Sequence, residues 1–176
     1  MAGESYLEEA VRELRRLKAL AESALAQAPD EAFFAQPDSE SNSLALVVKH
    51  VAGNLRSRWT DFLTSDGEKP DRRRDSEFEI ESGDTRPALM ARWEAGWAVL
   101  FAALAPLTEA DLRRTVTIRG EPHSVLRAVN RQVSHYAYHV GQIVYLARHY
   151  AGAGWRSLSV PRGQSETFNR ELRKKA

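Results

Sequence analysis

Residues 124–150 read SVLRAVNRQVSHYAYHVGQIVYLARHY. Val129, Val133, Val140 and Ala147 recur at intervals of four and seven, the period of a helix with one buried face. Ser124 offers an N-cap, and Gly152 and Gly154 break the pattern, so one long helix is predicted here. Its middle carries His135 and His139. Residues four apart on a helix lie one above the other, roughly 40° round the axis, so two imidazoles can hold one ion from a single rigid element. Residue 136 is tyrosine, not the glutamate that helical zinc proteases place beside the first histidine, so the protease reading fails.

The same period extends upstream. Leu7, Ala10, Val11, Leu14, Leu17, Ala21, Ala24 and Leu25 predict a helix over 4–27, ended by Pro29. The stretch 28–42 is polar and turn-rich. Asn42 or Ser43 then caps a helix over 43–64, with Leu44, Val48, Val51, Leu55 and Phe62 on one stripe. A long connection over 65–84 holds Gly67, Pro70 and Gly83. Its basic run, Arg72-Arg73-Arg74, is flanked by Asp71 and Asp75 and reads as a solvated loop; Glu77-Phe78-Glu79 has no clear helical period. Thr85 caps the third long helix, with Pro87 in its first turn, Leu89, Trp93, Trp97, Leu100 and Leu104 on its buried face, and Pro106 as its stop.

Thr108 with Asp111 resembles a capping box and predicts one short turn. Arg114–Arg119 alternates like a strand and Gly120-Glu121 turns it back, giving a hairpin before the last long helix. The tail 155–176 reads as a loop plus a short helix. Four long helices and one hairpin predict an all-α four-helix bundle forming a single domain over 1–176. Its two long connections free sequence neighbours from having to be antiparallel.

Composition narrows the chemistry. Twenty-five basic residues against twenty-four acidic ones leave +1, no field that would point to nucleic acid. There is no cysteine, which excludes disulfides and thiolate ligands from the chain. The first residues lack a basic segment followed by an apolar run, and no apolar stretch approaches the ~20 residues of a membrane span. A cytoplasmic protein with no membrane partner is expected.

On a helical wheel His139 and His135 fall about 85° and about 125° from the centre of their apolar stripe, and His50 about 120° from its own. Side chains on such shoulders either converge in a groove between helices or face solvent. Gln132 and Gln142 flank the pair, and Asn54 follows His50 by one turn; these are weaker candidates for holding a ligand. Tyr136, near the apolar stripe, reads as core. His123 and His149 read as surface histidines.

The run Asn42-Ser43-Leu44 leading to Val47-Val48-Lys49-His50-Val51-Ala52-Gly53-Asn54, with Ser134-His135-Tyr136-Ala137-Tyr138-His139-Val140-Gly141-Gln142-Ile143, resembles the DinB-like superfamily over nearly the whole chain. Arg58-Trp59-Thr60-Asp61-Phe62, Asp75-Ser76-Glu77-Phe78 and Arg119-Gly120-Glu121-Pro122-His123-Ser124 resemble a branch of it with no assigned function. The resemblance implies one divalent metal ion on His50, His135 and His139, an up-down-down-up bundle, and a homodimer. It also implies either transfer of low-molecular-weight thiols such as bacillithiol or mycothiol, or metal-dependent hydrolysis.

Three neutral imidazoles leave coordination positions open. Such an ion lowers the pKa of bound water from ~15.7 to ~7, or holds an incoming thiol as thiolate. Imidazole suits zinc, nickel, iron and copper alike; zinc or nickel leads the expectation, with iron or manganese behind. A small-molecule substrate, and a small thiol as co-substrate, complete the reading. Its rivals are a non-catalytic metal- or ligand-binding protein and a plain helical dimer.

Overall fold

Ser5 opens the first helix: its Oγ accepts the Glu8 amide while the Glu8 carboxylate accepts the Ser5 amide, a reciprocal cap. The computed structural model describes residues 5–175; Glu4, which the periodicity places in this helix, lies outside them. Helix α1 spans Tyr6–Leu25, followed by the short α2 (Asp30–Phe33), α3 (Leu44–Trp59), α4 (Arg86–Leu104), α5 (Val125–Ala151) and α6 (Ser165–Lys175). Ser43, Thr85 and Ser124 cap α3, α4 and α5 with their hydroxyls. The chain is mostly helical, with one two-stranded antiparallel sheet of β1 (Thr115–Ile118) and β2 (Glu121–Ser124).

Two expectations are corrected. The helix predicted over 43–64 ends at Trp59. Thr60 turns extended, its hydroxyl donating to the Arg56 carbonyl at 2.7 Å, and Asp61 sits at φ 48. The amides of Thr64 and Ser65 then bond to the Asp61 carbonyl in a separate turn. Phe62 nevertheless stays buried against Trp59, which is why the apolar stripe ran past the true end. Within the supposedly turn-rich 28–42, α2 carries Phe33 fully into the core.

The four long helices share one hydrophobic core, in which Leu14, Leu55, Trp93, Trp97, Tyr136 and Ile143 are fully buried. Helix α1 packs chiefly on α5 and α3 chiefly on α4, while α3 also meets α5 and α1 also meets α4. A methyl group at Gly96 would lie 2.9 Å from Leu55 Cβ, so glycine there permits the close approach of α4 to α3. The β1–β2 turn places Arg119 and Gly120 at φ 54 and 75, as a two-residue hairpin turn requires. Asp66 accepts both of their amides, at 2.9 and 2.8 Å, tying the hairpin to the 60–85 connection. Among the described residues no helix is long and apolar enough to cross a membrane.

Candidate metal centre

The packing of α3 on α5 brings His50 against His135 and His139. The ring centres of His135 and His139 lie 4.6 Å apart, and those of His50 lie 4.8 Å from His139 and 5.5 Å from His135. One ligand nitrogen from each lies within 4.8 Å of the others. His50 and His139 are buried and His135 is half-buried. Phe78 covers the His50 ring, with centres 4.8 Å apart.

Hydrogen bonds set the tautomers. His50 Nδ1 lies 2.9 Å from Glu77 Oε2, and His139 Nδ1 lies 2.8 Å from Gln142 Oε1. Both partners are acceptors, so each imidazole donates from Nδ1 and leaves its Nε2 for a ligand. His139 Nε2 is only 3.1 Å from His135 Nε2. Two lone pairs at that distance repel unless a proton or a cation lies between them. Burial, then the neighbouring His139 and His50, push His135 down to about 3. Burial and His50 also lower His139, against the opposing effect of the hydrogen bond it donates to Gln142. Both are therefore neutral at pH 7, the form in which imidazole binds metal. An ion bonded at ~2.0–2.1 Å by each nitrogen needs those nitrogens roughly 3–4 Å apart. The three side chains lie close enough to hold one, and the donor set fits a divalent transition metal.

Glu77 is the residue that sequence reasoning missed. It lies in a single turn, Asp75–Phe78, too short to display a period, inside the connection predicted as loop. Its carboxylate is buried and bidentate to Arg72: Nε to Oε1 and Nη2 to Oε2, both at 2.8 Å. Burial raises its pKa, but the His50 bond and the Arg72 guanidinium outweigh that and hold it below the ordinary glutamate value. The solvated-loop reading of Arg72 is thus corrected: its side chain is 5% exposed. A flanking-charge pattern cannot distinguish a solvated run from one member turned inward to a buried carboxylate. Gly53 was the available signal. A methyl there would collide with the Glu77 carboxylate, and a glycine within a helix often marks close approach by another group.

A cavity of about 180 Å³ opens beside His50 and His135, with Asn54 and Gln132 in its wall. Gln132 is buried, and its Oε1 has no hydrogen-bond partner among the described residues. Asn54 Oδ1 accepts from the Tyr136 hydroxyl at 3.1 Å, and that hydroxyl accepts from Trp59 Nε1 at 2.9 Å. Of the weaker candidates, then, Gln142 holds a histidine while Asn54 and Gln132 line the cavity. A larger cleft of about 830 Å³ lies between α3, α4 and the connection and contains none of the histidines. His149 is exposed. His123, expected at the surface, is instead buried on the inner side of the hairpin, with neither ring nitrogen hydrogen-bonded among the described residues; it lies on β2 opposite Val116.

The chain matches the family described as "Protein of unknown function (DUF1572)" over residues 1–164, and it belongs to that family. No curated protein matches it.

Proposed function

We propose that the chain holds one divalent metal ion on His50, His135 and His139 and acts as a metal-dependent transferase or hydrolase on a small molecule. The observation that carries the reading is the convergence of three imidazoles, two of them held through Nδ1 by Glu77 and Gln142. Hydrogen-bonded supports of this kind orient metal-binding histidines and raise their basicity. Bound there, the ion would act as a Lewis acid that acidifies a water or a thiol brought to it.

We also take the long helices as an up-down-down-up bundle of the DinB-like type. Contacts advance together along α1 and α5 and just past their ends (Tyr6 with Asn130, Gln27 with Arg156), and along α3 and α4 from just before the start of α4 (Lys49 with Asp84, Leu55 with Gly96). They run oppositely along α1 and α4 (Lys18 with Glu94, Leu25 with Arg86) and along α3 and α5 (His50 with His139, Asn54 with Tyr136). That order supports kinship with the DinB-like superfamily the sequence resembles, some of whose members transfer low-molecular-weight thiols.

The test uses Co²⁺ in place of the native ion. Saturating bacillithiol, mycothiol, coenzyme A and glutathione are added in turn, and turnover with electrophiles and esters is followed. A new near-ultraviolet charge-transfer band supports thiol transfer. An unchanged spectrum with ester turnover leaves hydrolysis. The absence of both the band and any turnover contradicts the enzymatic reading.

A further inference from the structure

The cavity beside the histidines is walled by five arginines: Arg58, Arg72, Arg74, Arg119 and Arg131. They come from α3, the 60–85 connection, the hairpin turn and α5. On α3, His50, Asn54 and Arg58 follow at intervals of four and share one face; on α5, Arg131, His135 and His139 do the same. The groove between these faces therefore runs from the imidazoles to a guanidinium pair about 12 Å along the helix axis.

Arg58 lies at the bottom of that groove. It is 3% exposed, and among the described residues neither its Nε nor its Nη1 has a hydrogen-bond partner. Its Nη2 reaches Glu68 at 3.5 Å. The chain packs closely on it, since a methyl at Gly67 would lie 2.9 Å from its Cδ and Nη1. Arg74, Arg119 and Arg131 are exposed and form the rim. The carboxylates in contact do not match this charge. Glu68 is shared by Arg58, Arg72 and Arg119 at 3.2–3.5 Å, Glu77 is committed to Arg72 and His50, and Asp75 is 3.7 Å from Arg74. A buried guanidinium with unused N–H groups is costly unless something accepts them. Guanidinium presents its donors in a planar fork suited to carboxylate and phosphate oxygens.

We propose that the arginine-lined end of this cavity is an anion subsite that holds the carboxylate or phosphate group of the substrate, with Arg58 at its base and Arg119 and Arg131 at its mouth. The inference rests on the metal-centre reading only for what it says about the substrate: an anionic group held here directs the rest of the molecule toward the histidines. Gln132, which lines the same space and whose buried Oε1 has no hydrogen-bond partner among the described residues, would accept a hydrogen bond from a neutral part of that molecule.

Inorganic phosphate and, separately, succinate are titrated calorimetrically at low ionic strength into the full chain. Arg58→Gln, Arg119→Gln, Arg131→Gln and Arg148→Gln are titrated alongside, and zinc content is measured on every preparation. One saturable phosphate or succinate site is expected, weakened about tenfold in Arg58→Gln, weakened less in the two rim variants and unchanged in Arg148→Gln. Tighter phosphate assigns a phosphoryl group and tighter succinate a carboxylate; either supports the subsite. If Arg58→Gln does not fold, the exposed rim positions decide. Equal affinity in the wild type, Arg119→Gln and Arg131→Gln, or no saturable binding of either anion, overturns the proposal. Zinc content answers separately: a wild-type chain that takes up phosphate but no zinc keeps the subsite and loses the metal reading.

Discussion

Glu77 Oε2 and His50 Nδ1 are 2.9 Å apart, with both side chains buried. The contact joins a four-residue turn in a long connection to the one histidine that α3 contributes. The same carboxylate is gripped by Arg72 from its other side, so it stays ionised in a site that water barely reaches. A carboxylate in that position fixes the ring and makes its Nε2 a better donor.

Glu77→Gln should therefore keep all three imidazoles yet weaken metal affinity about 10–100-fold. Competition with a fluorescent chelator measures this, with circular dichroism as a check on folding. A folded variant of unchanged affinity would show that Glu77 serves only the Arg72 pair.

Gly53→Ala tests the same support from the opposite direction. Its methyl would drive the Glu77 carboxylate away from His50 without altering any candidate ligand. Weaker metal binding with the helix intact is expected. A variant that binds as tightly as the wild type would mean that the connection shifts freely and does not position the ring.

The Tyr136 hydroxyl bridges Trp59 and Asn54 in the core between α3 and α5. Tyr136→Phe leaves the Trp59 N–H and the Asn54 oxygen without that partner, at a cost of about 1–3 kcal/mol. Urea unfolding should show the midpoint falling with little change of slope. No loss would mean that water replaces the hydroxyl.

Lys49 and Asp84 form a second buried pair, 2.6 Å apart, with Asp84 fully enclosed. Burial raises the Asp84 pKa, but the Lys49 hydrogen bond, the Glu81 amide and Arg92 outweigh it and lower it overall. A depressed folded pKa contributes stability that is present above the unfolded value, ~3.9, and is lost as pH falls through the folded one. Asp84→Asn should cost about 3 kcal/mol at pH 7, and the gap from wild type should narrow below pH 4. A gap that stays constant to pH 2.5 would rule out this titration.

Periodicity made the long helices legible, because each buries a continuous stripe: Leu89, Trp93, Trp97 and Leu100 state α4 almost alone. His135 and His139 were legible as a pair because helical spacing is local. Their meeting with His50 depends on which helices pack together, and periodicity carries no such information; only the resemblance suggested it. Glu77 and Arg72 were illegible for a different reason. They act from an irregular segment, where no period says which side chain turns inward. Nothing in the sequence marks Arg58 as buried; that comes from the fold, which packs the connection at Gly67 against it. The end of α3 was misplaced because Phe62 is buried without being helical.

The most direct measurement is metal content of the full chain after gel filtration against a weak chelator, beside His50→Ala, His135→Ala and His139→Ala. The account predicts about one divalent ion per chain in the wild type and loss of most of it in each single variant, since two imidazoles seldom retain an ion against competition. Full occupancy in a folded His139→Ala, or a wild type that takes up no zinc, nickel, iron or manganese, would contradict it.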